Sequence, residues 1–396
     1  MSENQAGIRA VGSRTAGEHA ASLRGLFTAA TPIFLWSRLA IWAVALIILA
    51  WFPISAVTQS TPTVMVHSGA TDFGAGLWSR WDSGYFEEIA RKGYGNDGTA
   101  AFYPFYPSSM GVVGRVLGGD YILAGLLLAL AACLVAFELL WRFAHERLGS
   151  DAAAERTVVY LALTPMAVFL GAVYSESTYL MLALAAFLLA ERQRWFLASS
   201  AAALALLTRP TGIAVVAAVA VLAWPNKRAL AWLALVPVSF AVYPAMLAAE
   251  FGQPWAFLTV EKLWSRHLSP FGPLGGLWDG VSVLWRYPSD HHVVAVNVEN
   301  LVFTAAYLVL LWLVWRWCTL AESVFATISL LLPLSVPRSG HLPLMSMPRF
   351  GLIIFPFYLV LARLGSTPRR NAAILGVSAL LLGVEVVKWV TFQWVS

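Results

Sequence analysis

Apolar stretches of about 20 residues recur along the chain from residue 28 to the C-terminus, and no other feature limits its fold so strongly. Each is long enough to cross a hydrocarbon layer of about 30 Å as a helix. Backbone inside hydrocarbon must satisfy its own N–H and C=O groups, so repeated runs of this kind imply an all-α polytopic membrane protein. Only 12% of the 396 residues are charged, against about 25% in soluble domains. The net charge of +5 is not gathered into a basic patch, which argues against a nucleic-acid partner, and two cysteines are too few for a disulfide scaffold. The composition also excludes a disordered chain.

The first run spans about residues 28 to 51 and follows a polar segment carrying Arg9, Arg14 and Arg24. Residues 1–26 therefore read as a cytoplasmic tail, and 27–396 as a single transmembrane domain. Further runs lie near 121–143, 157–172, 177–190, 196–208, 211–224, 229–249, 298–317, 320–335, 348–364 and 371–392, which makes roughly eleven spans. Alternate threading puts Arg142, Arg147, Arg156, Arg192, Arg194, Lys227, Arg228, Arg316, Arg363, Arg369 and Arg370 on the same side as the tail, in accord with the positive-inside bias. Two long segments, about 52–120 and 250–297, fall on the other side, where long loops usually carry function. The run at 157–172 and the pair meeting at Arg209 and Pro210 are short for a crossing, so broken or tilted helices lining a cavity are expected there.

The most informative stretch is WSRWDSGYFEEIARKGYGNDGTAAFYPFYP, from Trp78 to Pro107. Its spacing predicts a short helix with Asp82 or Ser83 as N-cap, Arg91 and Lys92 in the last turn and Gly93 as the stop. Trp81, Tyr85 and Ile89 form an apolar stripe suited to a membrane surface. Asp82, with Trp78 and Trp81 near it, has two readings: a helix cap, or a general base acting on a hydroxyl. Glu88 and Lys92 pair on the solvated face. The aromatic-proline run holding Tyr103 and Tyr106 reads either as a wall against isoprenoid or sugar or as an interfacial belt.

Ionisable groups inside spans are costly and often mark function. Glu176 in AVYSES can bind sugar hydroxyls or cap the next helix. Arg209 in LTRPTG and Arg349 in MPRFG suit a phosphate oxygen pair, or anchor at the interface. Arg38 reads as snorkelling to water, and Glu385 with Lys388 as an internal ion pair. In the second long segment His267, Asp279, Asp290, His291 and His292 are polar enough to contact a sugar; their spacing matches no recognised metal set, and a divalent cation stays open. No phosphate-binding glycine loop or nucleophile elbow is present. A transferase of this composition would take its activated donor from within the membrane, in lipid-linked form.

WSRWDSGYFEEIARKGY, AFYPFYP, GAVYSES and LTRPTG, in that order, resemble the PIG-V-type mannosyltransferases of the GT-C glycosyltransferase superfamily, with PRFGLIIFPFYL as weaker support. The resemblance covers about residues 30 to 365. It implies a GT-C fold with a large first external loop and a polyprenyl-phosphate mannose donor. It also implies inverting transfer to a lipid-linked or glycan acceptor, with the carboxylate of Asp82 as the general base. Catalytic loops would lie on the extracytoplasmic side, in a bacterial plasma membrane rather than endoplasmic reticulum. Competing readings are a lipid or sugar transporter or flippase, and a non-catalytic subunit of a glycosylation complex.

Overall fold

The computed structural model describes residues 28–51, 74–95 and 98–395. The tail with its three arginines and residues 52–73 of the first long segment lie outside the described residues. Within them the chain is helical, with a single isolated backbone bridge and no strand.

Every predicted run contains helix, although those at 157–172 and 348–364 are interrupted. The helices are α1 (Ala30–Trp51), α2 (Ser83–Lys92), α3 (Phe105–Val116), α4 (Tyr121–Leu148), α5 (Asp151–Ala162), α6 (Glu176–Glu191), α7 (Trp195–Thr208) and α8 (Gly212–Ala223). They continue with α9 (Lys227–Phe251), α10 (Pro273–Arg286), α11 (His291–Trp317), α12 (Leu320–Leu334), α13 (Met347–Leu352), α14 (Pro356–Leu364) and α15 (Pro368–Val390). Among the described residues α1, α4, α9, α11 and α15 are long and apolar enough to cross a membrane, and α7, α8 and α12 are shorter apolar helices. The chain is an all-α polytopic membrane protein.

Residue size sorts the faces of α7. In α7 the buried positions are Ala198, Ser199, Ala201, Ala202, Ala203 and Ala205, with Leu207 and Thr208 at its end, while Phe196 and Leu197 face outward. Hydrophobicity cannot drive apolar helices together in lipid, so small side chains that permit close backbone approach occupy the contacts.

Two breaks interrupt this packing, both where short runs are expected. The segment after α5 leaves the helix at Leu163 and resumes as a 3-10 turn from Ala167 to Gly171. A broken helix exposes carbonyls, and buried carbonyls need donors. Arg38 supplies them: its Nη1 donates to Ala167 O at 2.7 Å and its Nη2 to Ala162 O at 3.0 Å. Arg38 is 5% exposed, so it does not snorkel to water as expected; the free carbonyls of the break outcompete the interface. The second break parts α7 from α8. Arg209, preceding Pro210, is extended at φ −156° and ψ 150°, the conformation a following proline imposes. The chain then reverses so tightly that a Cβ at Gly212 would stand 2.3 Å from the Leu206 Cα.

Ion pairs close the bundle elsewhere. Arg147 joins Glu191 and Glu322, tying α4, α6 and α12. Lys388 meets Glu385 at 2.9 Å, the expected pair, and also Glu299 of α11 at 3.0 Å.

Replacing Arg38 by Met leaves two buried carbonyls without donors. Hydrogen bonds to charged groups are worth about 1.5–3 kcal/mol each, so Arg38→Met is expected to cost about 3 kcal/mol and lower the unfolding midpoint in detergent. An unchanged midpoint overturns this role.

Candidate functional site

The segment before α2 is held from two sides. Trp389 Nε1 donates to Leu77 O at 2.9 Å, and Val173 N to Trp78 O at 3.0 Å. The Tyr174 hydroxyl donates to Arg80 O at 2.9 Å and accepts from Asp82 N at 3.2 Å. These bonds hold Trp81 at φ 46°, in the left-handed region that a bulky residue seldom occupies. Its ring is edged against Trp389 and Trp394. Backbone strain maintained this firmly is usual at functional sites, and the next residue is Asp82.

Asp82 occupies the N-cap position of α2, yet its side chain makes no cap hydrogen bond. Its Oδ2 instead accepts from Arg349 Nη1 at 2.7 Å, across 267 positions of sequence. Of the two readings of Asp82, the cap is thus not the one its carboxylate adopts. Arg349 Nε lies 3.4 Å from Glu176 Oε1, and Arg209 Nη1 lies 2.5 Å from the same oxygen. Asp82, Arg349, Glu176 and Arg209 therefore form one alternating chain of charge. Glu176 opens α6 and is 1% exposed. Its second oxygen, Oε2, is buried without a hydrogen bond among the described residues.

This chain lines a cavity of about 190 Å³. Phe86, Phe102, Tyr103 and Tyr174 add aromatic wall, and Glu261, Trp264 and Arg266 enter from the second long segment. Burial, with the neighbouring charge of Glu261, pushes the Tyr103 hydroxyl up to about 12. Burial raises the Glu261 carboxyl while Arg266 opposes that rise. The Arg266 guanidinium is moved below the usual arginine range by burial, against the pull of Glu261.

Five predicted site residues, Asp82, Tyr103, Glu176, Arg209 and Arg349, meet at this cavity. Four do not line it. Trp81 packs in the core beside it; Tyr106 is buried, with its hydroxyl donating to Gly125 O at 2.9 Å. His291 and His292 are exposed at the start of α11, where Asp290 caps the helix by accepting from Val293 N. The stripe of Trp81, Tyr85 and Ile89 is buried against protein rather than turned to a membrane surface, because the later aromatic residues cover it. Glu88 does pair with Lys92, at 3.2 Å. Among the described residues no three His, Cys, Asp or Glu side chains converge as a metal set. Glu261, Trp264 and Arg266 were missed; only their membership of a long polar segment pointed to them.

Residues 50–226 match the family model described as Mannosyltransferase (PIG-V). The match supports a PIG-V-type mannosyltransferase and a glycosyltransferase role for the chain. The matched stretch contributes Asp82, Glu176 and Arg209 to the cavity, while Glu261, Arg266 and Arg349 come from beyond it. No curated protein matches the chain.

Breaking a buried ion pair from one side costs about 3–5 kcal/mol because a charge is stranded. Glu176→Gln is expected to destabilise by about that much, and Glu176→Gln combined with Arg209→Gln by less than the sum of the single changes. A double-mutant cycle on unfolding in mixed micelles should give a coupling of at least about 1 kcal/mol; strict additivity removes the pair from the account.

Proposed function

We propose that the protein is an integral membrane glycosyltransferase of the GT-C type. It moves mannose from a polyprenyl-phosphate donor to a lipid-linked or glycan acceptor with inversion. The observation that carries this reading is the Asp82 carboxylate, turned away from its own helix and held toward an aromatic-lined cavity by Arg349. The family match over residues 50–226 supports the sugar-transfer class.

In this mechanism Arg349 engages one Asp82 oxygen and the acceptor hydroxyl hydrogen-bonds the other. That hydroxyl oxygen attacks the anomeric carbon from the face opposite the phosphate. The new carbon–oxygen bond forms as Asp82 takes the proton, and the old anomeric carbon–oxygen bond breaks with its electron pair leaving on polyprenyl phosphate. Arg209 and Arg349 supply preorganised positive charge near the leaving group, favouring charge that develops in the transition state. The aromatic wall receives the apolar faces of sugar or isoprenoid, and Glu176 anchors both arginines.

Loss of a positioned base typically costs about 10²–10⁴ in rate. Purified wild-type protein is expected to transfer labelled mannose from synthetic polyprenyl-phosphate mannose into a membrane lipid extract, with Asp82→Asn slower by at least about a hundredfold. Equal transfer by both removes Asp82 as base, and transfer by neither refutes the donor assignment.

The charge bias supports a cavity on the extracytoplasmic side, and the proposed setting is a bacterial plasma membrane, with polyprenyl phosphate and membrane lipids as its surroundings. Exposed Ser289 and Ser366 lie at opposite ends of the threading. In a background with Cys133 and Cys318 replaced by Ser, Ser289→Cys should react with an impermeant thiol reagent in intact cells and Ser366→Cys only after lysis. The reverse pattern inverts the orientation.

A further inference from the structure

Three carboxylates and three guanidiniums face the cavity, and they are not equally compensated. Asp82, Arg349, Glu176 and Arg209 neutralise one another through contacts of 2.7, 3.4 and 2.5 Å. Arg266 and Glu261 remain, and their closest approach is 4.0 Å, outside hydrogen-bond range. Glu261 is 38% exposed and can turn to water, whereas Arg266 is only 13% exposed.

The Arg266 side chain is built into place by neutral groups. Its Nη1 donates to Val336 O at 3.0 Å and its Nη2 to Met345 O at 3.1 Å. Its backbone bridges antiparallel to Arg338, beside bonds from His267 N to Pro337 O and from Ser269 N to Ser335 O. Carbonyl acceptors fix a guanidinium without cancelling its charge. A guanidinium has five N–H donors, and the two carbonyls use two of them. The remaining donors and the least compensated cation of the cavity are suited to an oxyanion.

We infer that Arg266 is the phosphate-binding residue of this cavity and takes the phosphate of an isoprenoid-linked ligand. The class of ligand rests on the proposed function, but the location of the phosphate does not depend on whether the sugar is mannose. Arg209 and Arg349 hold the two carboxylates and contribute positive charge near the leaving group, while Arg266 makes the direct anion contact. A phosphate entering there displaces Glu261 toward water and leaves the Asp82–Arg349 contact intact.

The test is equilibrium binding of a short-chain isoprenyl monophosphate to the purified full chain in detergent, with the corresponding isoprenol and inorganic phosphate as separate arms. Wild type is expected to bind the monophosphate at least about tenfold more tightly than either control. Arg266→Gln should lose about tenfold in affinity and Arg266→Lys less, since Lys keeps the charge without the fork. Asp82→Asn should bind as well as wild type or better, because it frees Arg349. Size-exclusion profiles and unfolding midpoints identify any variant that has not folded; Arg266→Lys then carries the comparison. Wild-type affinity in Arg266→Gln, loss of affinity in Asp82→Asn, equal binding of the phosphate-free alcohol, equal binding of inorganic phosphate, or no binding by wild type would each overturn the inference. Monophosphate binding that depends on Arg266 without mannose transfer would uphold it while refuting the sugar assignment.

Discussion

Arg349 is shared between two carboxylates that arrive from different parts of the chain, and the arrangement of the site follows from that sharing. An ionised group placed among apolar helices is tolerable only when paired and hydrogen-bonded. Asp82 takes one nitrogen of the guanidinium and Glu176 faces another. Neither carboxylate can shift far without leaving a buried charge uncovered. Arg349 is also packed over Phe169 and Tyr174, which keeps its plane in register with both partners.

Around that centre, irregular backbone is concentrated where side chains must point inward. Trp81 in the left-handed region, Arg209 extended before a proline, and Ser346 at φ 72° each lie within three residues of a charged group of the cavity. Regular helices would have carried Asp82, Arg209 and Arg349 along their own axes. The breaks turn them toward a common space, and the cost is met by hydrogen bonds from Tyr174, Trp389 and the hydroxyl of Tyr179 to Thr211 O. Membrane interiors permit such backbone only where neighbouring protein satisfies it.

Much of this was legible from local pattern. Helix positions follow from apolar runs, and α2 stops at Gly93 with φ 84° and a backbone bond to Ile89 O, as its sequence suggests. Asp82, Glu176, Arg209 and Arg349 stood out because charge in apolar surroundings demands an explanation. The roles of Arg38 and Arg266 were not legible, since both depend on carbonyls of distant segments: Ala162 and Ala167 for one, Val336 and Met345 for the other. Backbone acceptors carry no residue-type signature. For the same reason the histidines of the second long segment drew notice, while the residues that enter the cavity from it did not.

The separation of 267 positions between Asp82 and Arg349 sets an order of events during synthesis. Chains are made from the N-terminus, and earlier parts begin to fold first. Asp82, Glu176 and Arg209 all leave the ribosome before Arg349 exists, so the growing protein carries an excess of negative charge in its half-built cavity. Only the last two helices follow Met347–Leu352. Closure of the site is therefore a late assembly step, and a chain interrupted before residue 349 would present a bundle whose acidic centre still lacks its shared cation.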